Sequence, residues 1–82
     1  MTQDFELFRY NLRLLRATRQ MSGAELAKLM KSKTQKRIND LEEGRIREPH
    51  LNEVIQIASI FGVTLDDLLN KKAVVSFINP TK

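Results

Sequence analysis

The chain of 82 residues has no cysteine, no tryptophan and a single histidine, His50. Without cysteine there is no disulfide framework and no thiolate metal site, an absence that fits a reducing cytoplasm. One histidine cannot build a histidine cage for zinc, so no metal and no cofactor are expected. No apolar run approaches the roughly 20 residues needed to cross a bilayer, and the start, Met1-Thr2-Gln3-Asp4, lacks a signal-peptide profile. Ser59 and Ser76 have no base or orienting group identifiable around them, which leaves nucleophilic catalysis without support. A binding protein of one small domain, rather than an enzyme, is expected.

Positive charge is what the chain does have, and it is unevenly spread. The net charge is +4. Between Arg9 and Arg47 stand eleven basic residues (Arg9, Arg13, Arg16, Arg19, Lys28, Lys31, Lys33, Lys36, Arg37, Arg45, Arg47) against the four acids Glu25, Asp40, Glu42 and Glu43. Residues 48–70 carry −4. A basic middle and an acidic back half make a polarised surface, as a polyanion binder requires; solvated helix faces would give the same count.

Apolar spacing predicts five helices. Phe5, Phe8, Leu12 and Leu15 mark one stripe, with Thr2 or Asp4 available as cap and Thr18-Arg19-Gln20 as its end. Ser22 and Glu25 form a capping box, with Met21 against Leu26 as the staple, and the pattern breaks after Met30. Thr34 caps a third helix to about Glu43, with Ile38 and Leu41 inward and Gly44 as a left-handed stop. Arg45 to Pro49 reads as a loop, since the residue before proline avoids helical angles. Leu51, Val54, Ile55, Ala58 and Phe61 form the fourth stripe, with His50 as a surface cap and Gly62 as its stop. Thr64 caps a fifth helix that turns Leu65, Leu68 and Leu69 inward, with Asp66 and Asp67 at its positive end.

The tail is different in kind. Val74, Val75, Phe77 and Ile78 lack a helical period and read as a strand, whose backbone needs a partner. A second copy of the chain could supply it across a two-fold axis, which would make residues 71–82 a dimerisation segment; a disordered or helix-packed tail is the alternative.

The unit that bears on function is Ser22 to Gly44: a capped short helix, a polar turn and a second short helix. With Ile38 and Leu41 inward, Gln35, Lys36, Asn39 and Asp40 point outward. Such side chains match the major groove: glutamine and asparagine pair with adenine, lysine with guanine, and aspartate accepts from cytosine. Lys36 could equally touch phosphate, and Asp40 could instead pair with Lys36 or Arg37 one turn earlier. Arg37 suits a phosphate better than a base.

These residues resemble the helix-turn-helix domain of Cro and C1-type repressors, the XRE family. The likeness rests on Asn11 to Arg16, Met21-Ser22, Glu25-Leu26-Ala27, Gln35 to Arg45 and, beyond them, Pro49, Leu51, Ile55, Ala58 and Phe61 to Leu69. It implies an all-α, five-helix, lambda-repressor-like domain over residues 4–70. Such a domain binds double-stranded operator DNA as a homodimer, with the third helix in the major groove. It also implies phosphate contacts at Ser22, Lys33, Thr34, Arg45 and Arg47, and an ion pair between Arg16 and Glu42 joining the first helix to the third. Two departures stand out: the turn Lys31 to Thr34 is a residue longer than the commonest pattern and lacks glycine, and Gly23 replaces a frequent phosphate-anchoring glutamine. The expected function is a cytoplasmic, sequence-specific transcriptional regulator, a repressor. The alternatives are an antitoxin that binds DNA and a toxin protein, a restriction–modification controller, and an interaction module that uses the fold without DNA.

Overall fold

A computed structural model describes residues 5–31 and 34–70. The expected positions Thr2, Asp4 and Lys33 and the segment with Val74, Val75, Phe77 and Ile78 lie outside the described residues. Within them the order is α1 (Glu6–Thr18), α2 (Gly23–Leu29), α3 (Gln35–Glu43), α4 (Leu51–Phe61) and α5 (Leu65–Asn70). No strand occurs among the described residues, so the expected all-α architecture is the observed one. No helix there is long and apolar enough to cross a membrane.

Local chemistry sets the boundaries. Gln20 takes the left-handed conformation at φ 53°, and the Met21 amide donates to the Arg16 carbonyl at 2.9 Å, closing α1. Ser22 and Glu25 exchange hydrogen bonds at 3.0 and 2.7 Å, so the capping box that starts α2 is complete. Lys31, at φ 66°, performs the left-handed turn for which the family pattern uses glycine. Thr34 accepts from the Arg37 amide at the start of α3, and Gly44, at φ 82°, ends it. Gly62 ends α4, with the Val63 amide donating to Ala58.

The core gathers one face of every helix: Phe8, Leu12 and Leu15 from α1, Leu26 and Ala27 from α2 with Met30 just beyond it, Ile38 and Leu41 from α3, Val54, Ile57, Ala58 and Phe61 from α4, and Leu68 from α5. Full burial of one such large side chain contributes about 1.5–3 kcal/mol. Helix α1 packs on α3 and α5, and α2 packs on α3. The turn helices are therefore braced from behind.

Helix α4 differs from the expected stripe. Leu51 and Ile55 are 70% and 48% exposed, while Ile57 and Glu53 are fully buried. The buried face is rotated by about one residue: Val54, Ile57, Ala58 and Phe61 stand at i, i+3, i+4 and i+7, and Glu53 lies beside them with two partners described below. Leu65 is likewise 40% exposed, so Leu68 carries the burial of α5. Asn11, a buried polar residue, donates to the carbonyls of Leu68 (2.7 Å) and Asp67 (3.3 Å), satisfying the end of that short helix.

Candidate DNA interface

Helix α3 turns Ile38 and Leu41 into the core, which leaves Gln35 and Lys36 exposed and Asn39 and Asp40 half-buried at the side. The four expected base-reading positions thus share one helix, flanked by the helix starts at Ser22 and Thr34. Gly23 is buried where α2 meets α3. A Cβ there would stand 3.4 Å from Asn39 Oδ1 and 3.6 Å from Gln35 Cγ. Two outward side chains of α3 therefore rest against the first residue of α2. A Cβ would meet them at ordinary contact distance, so the helices do not need glycine here to approach.

An ion-pair network crosses the outer face. Asp40 accepts from Lys36 Nζ at 2.9 Å and from Arg45 Nε at 2.7 Å, each on a different carboxylate oxygen. Arg45 also donates to Glu43. The hydrogen bonds from Arg45 and then Lys36 hold the Asp40 carboxyl below the usual aspartate range, and those to Asp40 and Glu43 raise the Arg45 guanidinium. Between the two pairings open to Asp40 in the sequence, Lys36 is the one that forms; the second cation is Arg45, five residues later, rather than Arg37.

Arg37, expected at a phosphate, has its guanidinium turned to Glu53. Its Nε and Nη2 each donate to a carboxylate oxygen at 2.6 Å. Glu53 is wholly buried and also accepts from the His50 amide at 2.7 Å. The carboxylate raises the Arg37 pKa chiefly through these hydrogen bonds. The pair joins α3 to α4, and no apolar period could have shown it; the only signal in the sequence is a glutamate three residues after a helix cap. His50 is the N-cap of α4 and exposed, as expected. Its ring Nδ1 lies 3.5 Å from Arg37 Nη2, and its backbone is what Glu53 fastens.

Arg16 donates to both oxygens of Glu42, at 2.5 and 2.7 Å, and its Nη1 donates to the Met21 carbonyl at 2.8 Å. One guanidinium thus ties α1, the turn before α2, and α3 together, and Glu42 raises its pKa through the hydrogen bonds. Two other arginines of the basic middle are similarly engaged. Arg13 donates to the Glu42 carbonyl at the end of α3 (3.0 Å), and Arg19 donates to the Phe61 carbonyl at the end of α4 (3.0 Å) while lying over the Phe61 ring. Cations at helix carboxyl ends are favourable there. Arg47 is exposed in the loop after α3.

A short helix docked across a second one, with a polar outward face and two capped amino ends beside it, is the geometry of a helix-turn-helix. The helix-turn-helix family model of the Cro/C1 type matches residues 12–68. The chain belongs to the XRE family. No curated protein and no solved structure matches it. As an XRE-family domain it is a regulator that binds double-stranded DNA, and the family is regulatory rather than catalytic. Within that family α2 and α3 are the helix-turn-helix pair, and α1, α4 and α5 are the scaffold that holds them.

Proposed function

We propose that this XRE-family chain is a sequence-specific repressor that occupies a palindromic operator as a homodimer, with α3 in the major groove. The observation that carries the reading is the outward face of α3. Gln35 is exposed there and Asn39 stands one turn later on the same side, both backed by Gly23. Amide side chains in that register can make paired hydrogen bonds to adenine edges. Ser22, Thr34 and Arg47 surround this face with groups suited to phosphate, which would position the helix without adding sequence information, and Arg45, expected among them, is bridged to Asp40 instead. Lys33, from the turn, joins them as an expectation of sequence alone.

The dimer reading draws support from Leu51 and Ile55, one turn apart on α4 and exposed. An apolar set of this kind suits burial against a second copy. The expected strand at Val74, Val75, Phe77 and Ile78 is the other route to a dimer. Two reading helices about 34 Å apart would then meet successive major grooves.

Selection of binding sites from random duplex DNA with the purified protein tests both parts. A palindromic consensus with half-sites about one turn apart is the expected result. About eight phosphate contacts per dimer give a slope of log K against log salt near −7. Enrichment of no sequence would end the specificity reading, and a single unpaired half-site would end the dimer reading.

A further inference from the structure

The DNA-facing side of α3 carries an acid where a polyanion would approach, and that acid is not idle. Asp40 has both oxygens occupied, one by Lys36 and one by Arg45. The three groups differ in freedom. The Asp40 side chain is 13% exposed, whereas those of Lys36 and Arg45 are 83% and 58% exposed. The carboxylate is thus the recessed, fixed member, and the two cations reach over it from solvent. To accept from a cytosine, Asp40 would have to release one of them.

We propose that Asp40 is a specificity-determining filter rather than a base reader: it holds Lys36 and Arg45 in bridges and so keeps two cations of the reading face out of sequence-independent phosphate binding. The proposal rests on the DNA-reading assignment of α3. Non-specific association depends almost entirely on cations that neutralise phosphates and release counterions. Specific association has base contacts as well, here from Gln35 and Asn39. In the register those base contacts fix, Lys36 and Arg45 stay bridged to Asp40, whereas a wrong sequence has only phosphates to offer. Withholding the two cations therefore weakens binding to wrong sequences more than to the right one. Exposed bridges are individually weak, so the restraint lowers the affinity for non-cognate DNA without abolishing it. The position of Asp40 at the side of the face, within reach of a cation on its own helix and of one beyond the Gly44 stop, lets one carboxylate restrain both.

The test compares full-length wild type, Asp40→Asn and Asp40→Glu on a cognate and a non-cognate duplex across a salt series. Asp40→Asn should tighten non-cognate binding more than cognate binding. If Lys36 and Arg45 each gain one phosphate, the non-cognate slope steepens by about 1.8 per protomer, and each protomer's share of the gain over wild type shrinks about tenfold between about 50 and 200 mM salt. Asp40→Glu, which keeps the charge, should return the slope to the wild-type value. Glu48→Gln makes the same change in net charge at an exposed loop position and should steepen the slope far less. An equal effect from Glu48→Gln, or an unchanged slope in Asp40→Asn, overturns the filter. Loss of preference at one base pair with non-cognate binding unchanged would make Asp40 a base reader instead. A measurement on wild type alone stands apart from any folding defect: the Asp40 carboxyl carbon should keep its shift and its lowered titration when non-cognate duplex is added, and a titration moving up there would refute the restraint. A wild type that prefers no sequence at all removes the reading assignment itself, an outcome distinct from all of these.

Discussion

The arginines of α1 and the side chains of α3 carry similar chemistry to opposite ends. Arg13, Arg16 and Arg19 donate to backbone carbonyls, and Arg16 also to a buried carboxylate, so their charge fastens helices to one another. On α3, Gln35 and Lys36 face solvent, and Asp40 bridges Lys36 and, beyond the helix, Arg45. Arg37 sits on the reading helix yet belongs with the first set, because Glu53 holds it. Position in sequence therefore does not sort these residues; what each nitrogen donates to does. The basic stretch is divided between cations that fasten helices to one another and cations left at the surface of α3 and the loop after it.

The division is most severely tested at Arg37. Arg37→Ala would leave the Glu53 carboxylate buried without its guanidinium and should cost about 3–5 kcal/mol in denaturant unfolding. A loss under 1 kcal/mol, together with a shallower salt slope for DNA binding, would move Arg37 back to the interface. On the other side, Gln35→Ala should cost about 1–3 kcal/mol of affinity for the preferred site and relax preference at one base pair per half-site. Its unfolding curve should shift by no more than about 0.5 kcal/mol. Unaltered preference in both Gln35→Ala and Asn39→Ala would remove α3 as the reader.

Smaller effects sharpen the same contrast. Arg13→Ala and Arg19→Ala, which remove cations from helix carboxyl ends, should each lower stability by about 0.3–1 kcal/mol while leaving the salt slope for DNA as it was. A slope flattened by about one unit in either variant would place that arginine on a phosphate. The smallest effect concerns pH. Asp40 has a lowered folded-state pKa, so its contribution is present above the ordinary aspartate range and is lost as pH falls through the lowered folded value. Carboxyl carbon NMR should show Asp40 titrating below that range in wild type and moving up towards it in Arg45→Gln; an unmoved titration would mean that the Arg45 bridge does not hold in solution.

Much of the scaffold was legible because its causes are local. Ser22 with Glu25, Thr34 and the glycines at 44 and 62 announce helix limits by capping chemistry, and the stripes of α1, α2 and α3 follow the helical period. The Arg16–Glu42 pair was available only through the family resemblance, since the two residues stand 26 positions apart. What escaped were polar residues that earn burial through distant partners. Glu53 is buried against Arg37 and the His50 amide, partners no apolar pattern reveals, while the exposure of Leu51 and Ile55 follows from the competing stripe of Val54, Ile57, Ala58 and Phe61. Asn11 was hidden for the same reason, its partners lying 56 and 57 positions later. On the candidate interface, the outward set of α3 followed from Ile38 and Leu41 alone, whereas the bridge from Asp40 to Arg45 and the seat of Asn39 on Gly23 needed three dimensions.

The contact between Asn11 and the end of α5 has a consequence for how the molecule opens. A helix of six residues is far too short to persist alone, so α5 exists by docking: one leucine inserted in the core and one amide closing two carbonyls. It should be the first element to detach in local fluctuations, well before the cooperative loss of the other four. Hydrogen exchange would show this as amides from Leu68 to Asn70 that exchange at a free energy below the global value and become slower only when something clamps that corner. In this sense α5 is a gauge: the exchange rate of its last amides reports, residue by residue, whether a partner has settled against the carboxyl-terminal side of the domain.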